Sequence, residues 1–389
     1  MFTLILIVIY IAFIGLGIPN SLFGAAWPAI YEDLGLSLSD ANYITVLISG
    51  FTALAGLFSA RVTIKFGVGR VTLACTALIG VALLGFSVSG NVWFMCLCAI
   101  PLGIATGVMD AALSNYIALH YKAIHMNLLH CFFGLGASLS LYLMSIMLEH
   151  STWSEGYRTV ALIQFAITAV VLAALPLWKK VNAKTETEED NVQPRNISVI
   201  KMARMPSVRL VWLICVATNA IEGVCSVWGS TYLVFGYEFG VEEAAKALTL
   251  YTIGMTLGRF MAGLLSAKIT GWRLIYLCSG IVFVSIIMMF VPIPAVAVTG
   301  LFLVGLGNGP IYPNIMYLAP QNFGKDISSS IIGSQMAAAY AGIMIAPPIF
   351  GYLAEAFDAS LMPVYLIACF VLMILAIYFF VRRIGAEKK

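Results

Sequence analysis

Long apolar stretches return along this chain with hardly a pause, at residues 3–31, 40–61, 71–89, 92–120, 124–148, 157–178, 208–237, 244–268, 272–291, 294–320, 325–354 and 361–382. Each holds roughly 20 or more mainly apolar residues, the length at which a helix crosses a bilayer. Hydrocarbon offers no water to backbone N–H and C=O groups, so a spanning segment must satisfy them itself, as a helix. The expected fold is therefore an all-α membrane protein with twelve transmembrane helices. With 61% of its 389 residues hydrophobic and 10% charged, the chain carries more apolar surface than one soluble core can hide. The first stretch is too long for a signal-peptide core and lacks a basic leading region, so it is read as helix one rather than a cleaved leader.

The chain also repeats itself. Gly56-Leu57-Phe58-Ser59-Ala60-Arg61-Val62-Thr63 and Gly263-Leu264-Leu265-Ser266-Ala267-Lys268-Ile269-Thr270 each close the second apolar stretch of their half. Upstream, Asp33-Leu34-Gly35-Leu36 and Glu238-Phe239-Gly240-Val241 join the first stretch to the second. Duplication predicts two pseudo-symmetric six-helix bundles, 1–178 and 207–389, with a binding site expected at the midplane where such repeats face each other. Residues 179–206, with the acidic run Thr185-Glu186-Thr187-Glu188-Glu189-Asp190 and Pro194, read as a solvated cytoplasmic linker. Its second part, Ile197 to Met205, is open between tether and short surface helix.

Lys and Arg set the orientation. Arg61, Lys65, Arg70, Lys122, the run from Lys179 to Arg209, Lys268, Arg273, Lys325 and the tail from Arg382 fall in alternate loops, and the opposite loops hold only Arg158 and Lys246. The positive-inside rule then places both termini in the cytoplasm. The net charge of +3 reflects these topology signals and gives no reason to expect a nucleic-acid partner. The eight cysteines lie almost entirely in apolar stretches without metal-ligand spacing, and read as small buried residues.

Ionisable residues at membrane depth are few: Asp110 in span four, His130 in span five, Glu222 in span seven and Arg259 in span eight. A charge in hydrocarbon is costly, so such groups mark a bundle interior or a wet path. Glu222 shares a helical face with Asn219, Ser226 and Ser230 and lies about 20 Å in from Arg209 along the helix. A carboxyl at that depth is a candidate proton carrier; the rival reading is a fixed hydrogen bond across helices. Asp110 aligns with Thr106 and Ser114, and His130 with Asn127, Gly134 and Ser138. Asp110 and His130 can meet at similar depth, as proton carriers or as a packing bond between spans four and five. Arg259 needs an anion, for which Glu222 is the natural partner in its own half, Asp110 in the other, and an anionic solute a third choice. Aromatic and amide groups suit a sugar, whose CH faces stack while its hydroxyls bond. The candidates are Asn20, Trp27, Asn115, Asn127, Trp228, Asn308, Tyr312 and Gln335. Tyr31 reads equally well as an interfacial anchor.

No catalytic signature emerges. His120, His125 and His130 step by five and cannot share a metal site on one helix face. Gly305-Leu306-Gly307-Asn308-Gly309 lacks the Lys and the strand of a phosphate loop and reads as a flexible helical segment. No cofactor or metal is expected.

The twelve spans, the six-plus-six repeat, the basic loop after span two and the central linker together resemble the Major Facilitator Superfamily. That family's loop motif runs Gly-x-x-x-Asp-Arg-x-Gly-Arg; Gly56 and Arg61 to Arg70 resemble it, but Ala60 stands where the Asp is expected, so the charge relay attributed to that Asp is not carried over. Gly107-Val108-Met109-Asp110 with Asn115, Leu129-His130-Cys131-Phe132-Phe133-Gly134-Leu135-Gly136, Glu222 with Trp228 and Tyr232-Leu233, and Gly309-Pro310-Ile311-Tyr312-Pro313 resemble the fucose/proton symporter-like sugar transporters within it. The resemblance implies alternating access with spans one, four, seven and ten around the cavity. The expectation is a monomeric secondary transporter in the cell membrane, taking up a small polar solute such as a sugar with a proton, or sodium in its place, as the coupling cation. Asp110 and Glu222 are the expected proton carriers, tuned by His130 and Arg259. Proton-driven efflux of hydrophobic compounds is the first alternative, a non-translocating nutrient sensor another. A membrane enzyme is disfavoured for want of a nucleophile or metal beside Asp110 and His130.

Overall fold

A computed structural model describes residues 2–37, 40–188, 193–269 and 271–387. Residues 189–192 of the expected linker, Thr270 of the repeat and the last two lysines lie outside the described residues. The helices are α1 Phe2–Asp33, α2 Ala41–Phe66, α3 Val68–Ser87, α4 Val92–His120, α5 Ala123–His150, α6 Trp153–Glu188, α7 Val199–Arg204, α8 Pro206–Tyr237, α9 Val241–Leu265, α10 Trp272–Met288, α11 Pro294–Asn308, α12 Ile311–Tyr317, α13 Ala319–Phe323, α14 Ser328–Ala356 and α15 Met362–Glu387. Among the described residues eleven spans are long and apolar enough to cross a membrane, and α10, at 17 residues, is an apolar twelfth.

The structure adds detail at two places. The tenth stretch is not one helix: α11 stops at Asn308 and α12 begins at Ile311. Pro310 and Pro313 lack N–H groups, so the carbonyls four residues before them lose their helical donors. The expected linker is also partly helical. Helix α6 continues to Glu188, and Val199–Arg204 forms α7 behind an N-cap in which Ser198 Oγ accepts from the Lys201 N–H at 3.3 Å.

The helices gather into two compact units. The first holds residues 1–116, 129–196 and 325–333; the second holds 117–128, 197–324 and 334–389. These depart from a simple division of the chain into halves at 117–128 and 325–333. In the first unit α6 packs on α3 and α1; in the second α15 packs on α8 and α10, the same pairing shifted by six spans. The repeat also recurs as close backbone crossings. In unit one a Cβ on Gly107 would overlap the Thr52 carbonyl oxygen, so α2 and α4 touch through their backbones. In unit two Gly254 and Gly258 meet the Phe302 and Leu306 carbonyls in the corresponding crossing of α9 with α11. Lipid tails are as apolar as leucine, so membrane helices associate through tight packing of this kind rather than through a hydrophobic drive. Six of the eight cysteines are buried.

Candidate functional site

The second unit concentrates charge at depth on α8 and α9. Glu222 and Arg259 stand 3.7 Å apart, with side chains 23% and 11% exposed. Arg259 Nε also donates to the Gly309 carbonyl at 3.1 Å. That carbonyl needs a donor because the residue four places on is Pro313, which has no N–H. The guanidinium thus ties α9 to the break between α11 and α12 through Nε and turns Nη2 toward Glu222. Tyr251 Oη donates to the Glu222 backbone carbonyl at 3.4 Å, fixing α9 against α8 about two turns before Arg259.

Below the pair, amide groups are consumed in packing. Thr218 Oγ1 donates to Asn308 Oδ1 at 2.8 Å, and Asn308 Nδ2 donates back to the Thr218 carbonyl at 2.9 Å. Asn127 and Asn314 face each other at 3.3 Å, and Asn314 Nδ2 reaches the Pro310 carbonyl at 2.7 Å. Asn127 is fully buried and lies in unit two, whereas His130, expected on its face, lies in unit one. Trp228 commits its indole N–H to the Pro347 carbonyl at 2.9 Å and meets Phe350 edge-on, which leaves only ring surface for a solute. Tyr312 is half-buried at the start of α12. Gln335 on α14 is completely buried, and neither its amide nitrogen nor its amide oxygen has a hydrogen-bond partner. An amide so placed costs on the order of 1–3 kcal/mol.

In the first unit, half-buried Asp110 accepts from Ser114 Oγ at 3.1 Å, one turn along α4. His130 is buried and edge-on to Phe13, ring centroids 5.8 Å apart. Asn115 accepts from Ser328 Oγ at 2.8 Å in a buried bond. Asn20 is exposed on α1. Trp27, a buried ring two turns on, packs between Phe23 and Tyr31. Gln164, the polar exception in span six, sits where Gly15 leaves room for it and donates to the Thr76 carbonyl at 3.3 Å.

Sequence reasoning missed Thr218, Asn314 and Ser328, the partners that engage three of the candidate amides. Only Asn314 left a signal, following Pro313 directly in the proline-rich segment. Among the described residues no group of three or more His, Cys, Asp or Glu side chains is placed to hold a metal ion.

The Major Facilitator Superfamily model matches residues 9–347. Among curated relatives, the Bacillus subtilis glucose/mannose transporter GlcP is 22% identical, over 86% of this chain and 84% of its own length. Bypass of stop codon protein 6 of Saccharomyces cerevisiae is 21% identical, over 91% of this chain and 77% of its own. Among solved structures, the E. coli fucose:proton symporter FucP superposes with a TM-score of 0.76 at 16% identity, covering 96% of this chain and 98% of that one. The proton:xylose symporter XylE gives 0.76 at 11% identity, covering 98% and 95%. With the family model spanning most of its length and its helices laid out in the same fold, this chain belongs to the Major Facilitator Superfamily and is a multi-pass membrane transporter rather than an enzyme.

Proposed function

We propose that this transporter moves a small polar solute, a sugar, together with a proton by alternating access, as a monomer in the cell membrane with both termini in the cytoplasm. The observation that carries the reading is the Glu222–Arg259 pair, held against the α11–α12 break by the Gly309 carbonyl. A proton on Glu222 removes the partner charge of Arg259, so binding of one proton changes what holds α8, α9 and the break together. Asp110, partly open and hydrogen-bonded to Ser114, is the second carrier, with His130 on the neighbouring helix adjusting it.

For the solute we assign the ring face of Trp228, the buried amide of Gln335, the exposed amide of Asn20, and Trp27 and Tyr312. Asn308, Asn115 and Asn127, whose amides are engaged by Thr218, Ser328 and Asn314, we assign to helix packing. The sugar class draws support from the names of the relatives, a glucose/mannose transporter and fucose and xylose symporters.

The test is solute-dependent proton movement in liposomes, with glucose, mannose, fucose and xylose supplied outside. Alkalinisation of the outer medium with one sugar, lost in Glu222→Gln, supports the reading. Intact sugar exchange without proton flux in the wild type refutes the coupling, and no transport of any sugar refutes the solute class.

A further inference from the structure

At one membrane surface of unit two, the first turns of α8 and the last turns of α15 enclose a hollow of about 620 Å³. Arg209 projects into it from α8, and Arg382 and Arg383 from α15; all three are exposed. The remaining wall is apolar: Leu210 and Leu213 on α8, and Phe379, 51% exposed, on α15. Among the described residues no carboxylate lines it.

The arrangement is graded along the membrane normal. On α8, Leu213 is four residues beyond Arg209, or about 6 Å deeper at 1.5 Å per residue. On α15, which runs the opposite way, Phe379 precedes Arg382 and Arg383 by three and four residues, about 5 to 6 Å deeper. Both helices therefore present cations at the surface and a hydrocarbon wall one turn further in.

Cations kept only to fix topology need not converge on one hollow. We propose that this hollow is a binding site for one anionic phospholipid, its phosphate held by Arg209, Arg382 and Arg383 and an acyl chain lying along Leu210, Leu213 and Phe379. A free phosphate has the same charge chemistry but leaves the apolar wall unused, which is why a lipid is the occupant of choice. Its lining includes neither member of the ion pair and no residue assigned to solute.

Native mass spectrometry of the full chain released from detergent micelles tests this, with phosphatidylglycerol, phosphatidylcholine and inorganic phosphate supplied separately. Wild type is expected to retain one phosphatidylglycerol in preference to phosphatidylcholine. Each Arg→Gln change weakens retention about fivefold, and the triple change Arg209→Gln, Arg382→Gln, Arg383→Gln on the order of a hundredfold. Leu213→Trp, which keeps all three charges and fills the groove, is expected to weaken it as well and serves if the triple variant does not fold. Equal retention of the two lipids, or phosphatidylglycerol retention unchanged in the variants, overturns the site. Displacement of phosphatidylglycerol by millimolar phosphate assigns the arginines to a free anion and overturns the lipid.

Discussion

Replacing Glu222 by Gln removes one charge and almost no volume from the deepest ion pair of unit two. At 3.7 Å the attraction between unit charges is about 4.5 kcal/mol if the effective dielectric is about 20. Desolvation of both groups offsets much of that, and the 23% exposure of Glu222 admits some screening water. The net coupling should fall between the values for surface pairs and for fully buried ones, about 1–2 kcal/mol. Arg259→Gln removes more, because it also strips the donor from the Gly309 carbonyl, a further loss of about 1 kcal/mol. The assay is a double-mutant cycle of Glu222→Gln, Arg259→Gln and the double variant, with unfolding free energies from dodecyl-sulfate titration in mixed micelles. Coupling near 1–2 kcal/mol is expected, little altered by 0.5 M salt because so little of the pair faces solvent. A coupling within about 0.3 kcal/mol of zero would mean that Arg259 is neutralised by something else, and the argument for Glu222 as the group that releases it would fail.

Gln335→Leu should stabilise the solute-free protein by about 1–3 kcal/mol, since it replaces an unpaired buried amide with a side chain of similar size. If the amide serves the solute, the same change lowers transport. A thermal-shift scan beside an uptake assay reads both, and a destabilised variant refutes the unpaired state. Gly136→Ala places a methyl against the Ile14 carbonyl where α5 crosses α1, and should cost about 1–3 kcal/mol or more; Gly280→Ala, inside α10 with open space around it, should be neutral or slightly stabilising in the same scan. Asp358 accepts from the Ser360 N–H at 2.6 Å, and its hydrogen bonds to Ser360 hold its carboxyl below the ordinary range. A lowered native value means stability that is present above the unfolded-state value, about 3.9, and is lost as the pH falls through the native one. The difference in thermal midpoint between wild type and Asp358→Ala should therefore be largest at neutral pH and shrink below about pH 4.

Hydropathy made the spans legible because length and apolarity are what a bilayer selects for. The tenth span was read too simply: its glycines and prolines suggested flexibility, whereas Pro310 and Pro313 end one helix and oblige a neighbouring arginine to satisfy a carbonyl. Glu222 and Arg259 were legible as a pair because both are ionisable, in one half and at similar depth. The amides were not. Periodicity places Asn308, Asn115 and Asn127 on polar faces, but whether such a group is free for solute depends on a partner far along the chain. Thr218 lies 90 residues from Asn308 and Asn314 lies 187 from Asn127, separations that no local pattern encodes. The cations at 209, 382 and 383 were legible only as orientation signals, because their convergence exists only once α8 and α15 are packed.

The facing amides of Asn127 and Asn314 belong to a different electrical regime from the ion pair. An amide carries no net charge and does not titrate across the physiological range, so neither acidification nor ionic strength alters what that contact contributes. A change of proton gradient leaves the amides as they were. The two contacts lie within one unit, yet only the ion pair contains an ionisable group, so any pH dependence measured for this transporter should be traced to carboxyl and imidazole groups and not to the joint between α5 and α12.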